Sequence, residues 1–188
     1  MGLLALLLLH HARSGARYDR AGNAILLEDQ DRTLWNGVMI NVGLALIDKA
    51  MRHRKPGPYQ VQAAIAALHA RAKTAADTDW AEIDLLYGLL ERLTPSPVIT
   101  LNRAVVVHKL RGAEAALSVI EPLGARLSGY FYFFGVKGML LSELGRDEEA
   151  RFAFNRAIAL ANTAAEAAHI RNHLDRLMGK DRPEHAGS

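Results

Sequence analysis

A chain of 188 residues, 50% hydrophobic and 23% charged, holds enough apolar matter for one buried core and enough charge to stay in solution. The absence of cysteine excludes disulfides and thiolate chemistry, which suits a reducing cytoplasm, the compartment expected here. Lys and Arg exceed Asp and Glu by only 23 to 20, so the chain is no polycation of the kind that coats nucleic acid, and direct DNA binding is not expected.

The elements begin with an apolar run, Leu3 to Leu9, that imitates a secretory signal. No cation precedes it, His10, His11 and Arg13 interrupt it, and seven residues cannot cross a bilayer. It predicts instead a first helix over residues 3 to 13. A helix that is greasy from its first residue reads as one that has lost a neighbour, the cut-out tail of a larger protein. Its Leu3 to Leu9 face offers a homodimer contact. His10 and His11 point about 100° apart on a helix, which puts one inside and the other outside. The stretch Tyr18 to Asn23 reads as a turn, and Ala24 to Leu27 as the return to the core.

A long helix is predicted from Asp31 to Arg54, with Leu34, Met39, Val42, Leu46, Ile47 and Ala50 as its apolar stripe. Asp29 or Asp31 would cap it, and the run Arg52 to Lys55 would complement its C-terminal dipole. Pro56-Gly57-Pro58 ends that helix and opens an Ala-rich one over residues 58 to 73. Asp79 leads a capping box for a helix to Leu93, and Ser96-Pro97 opens another. Gly112, Gly129 and Gly145 punctuate the rest, for about nine helices in an all-α chain without strand signals.

Shifted by 34 residues against itself, the chain aligns Ala104 with Gly138, Leu110 with Leu144, Ala116 with Ala150, Ile120 with Phe154 and Leu123 with Ala157. The period and the small-residue pattern, clearest from Gly138 to Ala157, resemble the tetratricopeptide repeat, although the Trp and closing Pro of that motif are absent. A further pair is expected from Pro58 to Leu93. Stacked helix pairs leave a concave wall of first helices for partners. Leu101, Val105, His108 and Lys109 in one pair, with Tyr132, Met139, Ser142 and Glu143 in the next, are the candidates for it; ordinary packing is the alternative.

Chemistry-bearing clusters are few. His169 and His173 share a helix face at i, i+4, without the Glu of a zinc protease motif between them. The group Glu28, Asp29, Gln30, Asp31 and Arg32 with Trp35 concentrates polar side chains beside an aromatic. It lacks a nucleophile, an oxyanion hole and a phosphate loop, so it reads as helix capping with Arg32 paired locally, or as a docking surface. Neither catalytic residue, cofactor nor metal is expected, and the chain reads as a binding protein rather than an enzyme.

The run LLALLLLHHARSGAR at Leu3 to Arg17, LLEDQDRTLWN at Leu26 to Asn36, PGPYQVQAAIAALHA at Pro56 to Ala70, DTDWAEIDLLYGLLERLTPSPVITLNRAV at Asp77 to Val105 and the closing LGRDEEARFAFNRAIALA fall in one order. Together they resemble the tetratricopeptide-like C-terminal extension of bacterial extracytoplasmic-function RNA polymerase sigma factors. The resemblance implies a regulatory, protein-interaction domain that modulates transcription initiation through its own upstream sigma regions, RNA polymerase or another partner. Members of that family often carry an acidic residue where His11 stands and an Arg where Ser14 stands, so a docking role for that motif is in doubt, whereas Glu28 to Arg32 match. The expected organisation is an N-terminal helical segment (1–57) packed on helical repeats (58–178), with a disordered tail (179–188), together one structural domain. The alternative is a free-standing tetratricopeptide scaffold that binds an external protein or peptide.

Overall fold

The computed structural model describes residues 1–20, 22, 24–53 and 56–180. Among them the chain is all-α, with eight α-helices and no strand beyond one isolated antiparallel bridge between Tyr18 and Ala24. The helices are α1 (Gly2–His11), α2 (Gly37–Met51), α3 (Pro58–Arg71), α4 (Trp80–Leu93), α5 (Pro97–Ile120), α6 (Phe131–Glu143), α7 (Asp147–Leu160) and α8 (Ala164–Lys180). Backbone contacts divide them into two compact units, Met1–Leu110 and Arg111–Ser188, with the division inside α5. Close by, at Gly112, φ of 83° and ψ of 178° break the helix. That combination is one that a residue with a Cβ avoids. Counted across the break, α5 is two helices, and the expected number of about nine is met.

In the first unit α1 packs against α2 and α3, and α3 in turn against α4. Ala5, Ile47 and Ala63 form the centre of the first three helices, where two alanines let the axes approach closely. Val61, Ile65, Ile83, Leu90 and Val106 form the centre shared by α3, α4 and the first half of α5. Each fully buried aliphatic side chain there, Ile83 for example, stabilises the fold by roughly 1.5–3 kcal/mol. The predicted punctuation holds at most helix starts. Gln60 returns its side-chain oxygen to the Gly57 amide at 3.1 Å, Asp79 accepts from the Glu82 amide at 2.9 Å, and Ser96 Oγ accepts from the Val98 amide ahead of α5.

Three expectations fail in this unit. The long helix does not begin at Asp31: residues Arg32–Leu34 make a single 3-10 turn, Trp35 is extended, and α2 starts only at Gly37, capped by Asn36, whose side chain accepts from the Met39 amide at 3.0 Å. Asp31 caps just the short turn, through the Thr33 amide at 2.9 Å. The buried stripe of α2 is accordingly Gly43, Ile47 and Ala50, while Leu34 and Val42 lie on the outside. Ala24 to Leu27 do not re-enter the core, because the chain there makes a bridge and a turn with no helix or sheet face to bury. His10 and His11 are both exposed, since Leu9 and Ala12 occupy the inward positions on either side of them. Ala21, Asn23, Arg54 and Lys55, parts of the expected loop and of the basic helix end, lie outside the described residues.

The second unit centres on the hairpin of α6 and α7, with α8 laid against α7. Gly138 sits against the ring of Phe154: a Cβ added there would meet Phe154 carbons at 2.6 Å, so only hydrogen fits. Phe154, Ala150 and Ala157 are all buried, as the repeat register requires, and their counterparts Ala116 and Ile120 are buried as well. Gly145, at φ of 70°, makes the turn between the two helices, and the three acids of the first turn of α7 complement its dipole. The expected tail does not start at 179, because α8 continues to Lys180; residues 181–188 lie outside the described residues.

Candidate functional site

The segment from Leu26 to Asn36 crosses between helices and is held at both ends by long-range polar contacts. Lys109 Nζ donates to Glu28 Oε2 at 2.5 Å, tying the segment to α5. Arg32 Nη1 donates to the carbonyl of Ala72 at 2.9 Å and to that of His69, so its guanidinium caps the C-terminus of α3. The expected local pairing of Arg32 is thus replaced by acceptors from another helix. The same guanidinium lies over the buried ring of Trp35 at 4.7 Å, and that of Arg13 lies over it at 5.8 Å.

Electrostatics at this place are lopsided. Arg13 Nη2 and Arg17 Nη2 both donate to Nδ1 of His10, at 3.5 and 3.4 Å, and Arg17 Nη2 also donates to the His10 carbonyl at 3.3 Å. Burial and the two arginines hold the His10 imidazole below its ordinary pKa. Arg13 is pushed down to about 10 by burial and by Arg17 and Arg32. His69, packed edge-on against Trp80, is pushed down to about 4 by burial first and then by Arg13, Arg32 and His10. Burial also lowers Arg32, opposed by the charge of Asp77. Among the described residues two buried polar atoms of the segment, Trp35 Nε1 and Gln30 Oε1, have no hydrogen-bond partner, although Gln30 Nε2 donates to the Ile25 carbonyl at 3.1 Å.

Of the residues expected to act, the structure pairs Glu28 with Lys109 and Arg32 with Trp35, while Gln30 and Asp31 bond within the segment, to Ile25 and Thr33. Glu28, Asp29 and Asp31 are exposed; Gln30 and Trp35 are buried. Leu101 is buried in the first unit rather than open to a partner, while Val105 and His108 are half-buried. In the second unit Tyr132 and Glu143 are exposed and Met139 and Ser142 half-buried, with the Tyr132 ring against Phe131 and Tyr130. His169 and His173 pack ring to ring at 5.0 Å, and among the described residues no group of three acids and histidines could hold a metal. Sequence reasoning missed His10, Arg17 and His69 as parts of the arrangement. Only the i, i+4 spacing of Arg13 and Arg17 hinted that their charges would meet.

Residues 1–51, which supply Arg13, Arg17, Arg32 and Trp35, match DUF6596, a family of unknown function. The chain is 67% identical over 177 residues to an uncharacterized protein of Rhizobium meliloti (strain 1021), covering 94% of this chain and 42% of the relative. The chain therefore spans less than half the length of that relative. No solved structure matches it. Among the described residues no helix is long and apolar enough to cross a membrane.

Proposed function

We propose that the chain is a regulatory protein-docking domain of an extracytoplasmic-function sigma factor, acting in the cytoplasm by contact with upstream sigma regions, with RNA polymerase or with a further protein. The observation that carries the reading is the segment Glu28–Trp35. Its sequence holds one of the two specific phrases of the resemblance to that family, and it is tied down by Arg32 and Lys109 with Glu28, Asp29 and Asp31 exposed. Stacked helix hairpins support a binding role, since such pairs present side chains on a rigid face rather than enclosing a substrate. On this reading the chain carries out no reaction of its own.

The test is calorimetric titration of the chain against the segment of the Rhizobium relative that it does not cover, expressed separately. Saturable heat that an Asp29→Ala, Asp31→Ala double variant weakens is the expected result. A folded chain that gives no heat ends the part of this reading in which the chain contacts its own upstream regions. It would favour a free-standing tetratricopeptide scaffold for an outside peptide, a reading for which exposed Tyr132 beside half-buried Met139 on α6 is the motivating observation.

A further inference from the structure

The guanidiniums of Arg13 and Arg32 lie over Trp35, at 5.8 and 4.7 Å, and that of Arg17 meets Arg13 at His10. Among the described residues, none of Arg13, Arg17 and Arg32 has a carboxylate within ion-pair distance. Arg13 and Arg17 share the neutral Nδ1 of His10, and the remaining acceptors are the carbonyls of His10, His69 and Ala72. Two other arginines of the first unit meet acids: Arg71 donates to Asp48 at 3.2 Å, and Arg103 to Asp84 and to Glu91 at 2.7 Å each. Like charges left together without counter-ions cost free energy unless something else neutralises them.

We propose that Arg13 and Arg32 over Trp35, with Arg17 joined to Arg13 through His10, form the receptor for a carboxylate side chain of an acidic protein segment, which takes over from His10 as the acceptor shared by Arg13 and Arg17. Guanidinium forks match carboxylates in shape, and charge-assisted hydrogen bonds are stronger than those to a neutral imidazole. Burial first, and the neighbouring guanidiniums after it, hold Arg13, His10 and His69 below their ordinary pKa values, as cations gathered partly out of water would be. His10 is exposed and Arg13 and Arg17 are half-buried, so the cluster is a surface patch suited to a side chain of a docked segment. Exposed Asp29 and Asp31 flank Arg32 in sequence and set a limit on how far a run of anions can extend past it, which disfavours the continuous phosphate track of a nucleic acid and leaves room for one carboxylate placed on Arg13 and Arg17. Asp77 is the one acid whose charge is felt at Arg32.

The proposal rests on the docking reading above. Its test uses the full chain carrying Trp80→Phe, so that Trp35 alone reports by fluorescence, titrated with an octapeptide of alternating Asp and Glu. Saturable binding is expected, weakened at least about tenfold by Arg13→Gln with Arg17→Gln and unchanged by Arg20→Gln, with circular dichroism the same throughout. Should the double variant not fold, Arg17→Gln alone, whose side chain among the described residues bonds only to His10, gives the same comparison. The assignment is overturned by no saturable response, by equal affinity in the arginine variants, or by inorganic phosphate or a single-stranded oligonucleotide binding as tightly as the peptide. Loss of the peptide response with retained binding of the relative's remaining segment removes this site alone; loss of both removes the docking reading with it.

Discussion

His69 illustrates how one half-buried group turns into a pH dependence. Its imidazole is held at a pKa of about 4 in the folded chain, against about 6.5 when free. Above the free value both states are neutral and the residue is silent. As pH falls below it, the unfolded chain takes up a proton that the folded one refuses, so stability drops towards pH 4 by on the order of 2–3 kcal/mol. Melting curves at pH 7 and pH 4.5 should show a larger loss for the natural chain than for His69→Gln; equal losses would deny His69 this part. Gly138 poses the opposite kind of problem, one of space. An alanine there collides with Phe154, and Gly138→Ala should lower stability by about 1–3 kcal/mol, with most of the loss recovered when Phe154→Leu is added. Chemical denaturation of the two variants reads this directly, and a single variant as stable as the natural chain would contradict the close approach.

At the level of elements, helix identity was readable and helix boundaries less so. Pro58, Asp79 and Pro97 mark real starts because each acts through its own residue: a ring with fixed φ, or a side chain that reaches the next free amides. The start of α2 was misplaced because Asp31 and Asn36 are both good caps, and apolar periodicity runs through both. What decides is Trp35, whose ring is drawn into the cluster with Arg13 and Arg32, leaving its backbone extended and the helix to begin after Asn36. No local pattern announces that, since Arg13 lies 22 residues away. The candidate site was legible in the same measure. Glu28 to Trp35 stood out by composition, but the basic half of the arrangement depends on α1 and α3 meeting the segment in space. The break in α5 supplies a contrast with Gly138. An added Cβ at Gly112 would meet nothing within 4 Å, so Gly112→Ala is unfavourable through backbone conformation alone, by about 1–3 kcal/mol. D-alanine introduced at this position by semisynthesis should restore the melting temperature; a melting temperature unmoved by L-alanine would mean the helix runs straight through.

Over the whole molecule, the features that invite partners are a charged segment and a greasy one. On α1, Leu4 and Leu7 are 52% and 58% exposed beside Leu3 at 46%, an apolar strip on the outside of a helix whose other side is fully packed. Self-association through this strip predicts a sedimentation mass that rises with concentration and a monomer in Leu4→Glu with Leu7→Lys; a natural chain of constant monomer mass refutes it. The polar ties of the Glu28–Trp35 segment have a bearing of a different sort, on the order in which the chain comes together. Glu28 meets a residue 81 positions along, and Arg32 one 40 positions along, whereas the helices close by contacts within a turn. Loop closure over such spans is entropically late, so both ties should be missing from the folding transition state. Arg32→Lys should then leave the refolding rate nearly untouched while speeding unfolding, which makes the segment that faces partners a latch on the lifetime of the folded state rather than a guide to reaching it.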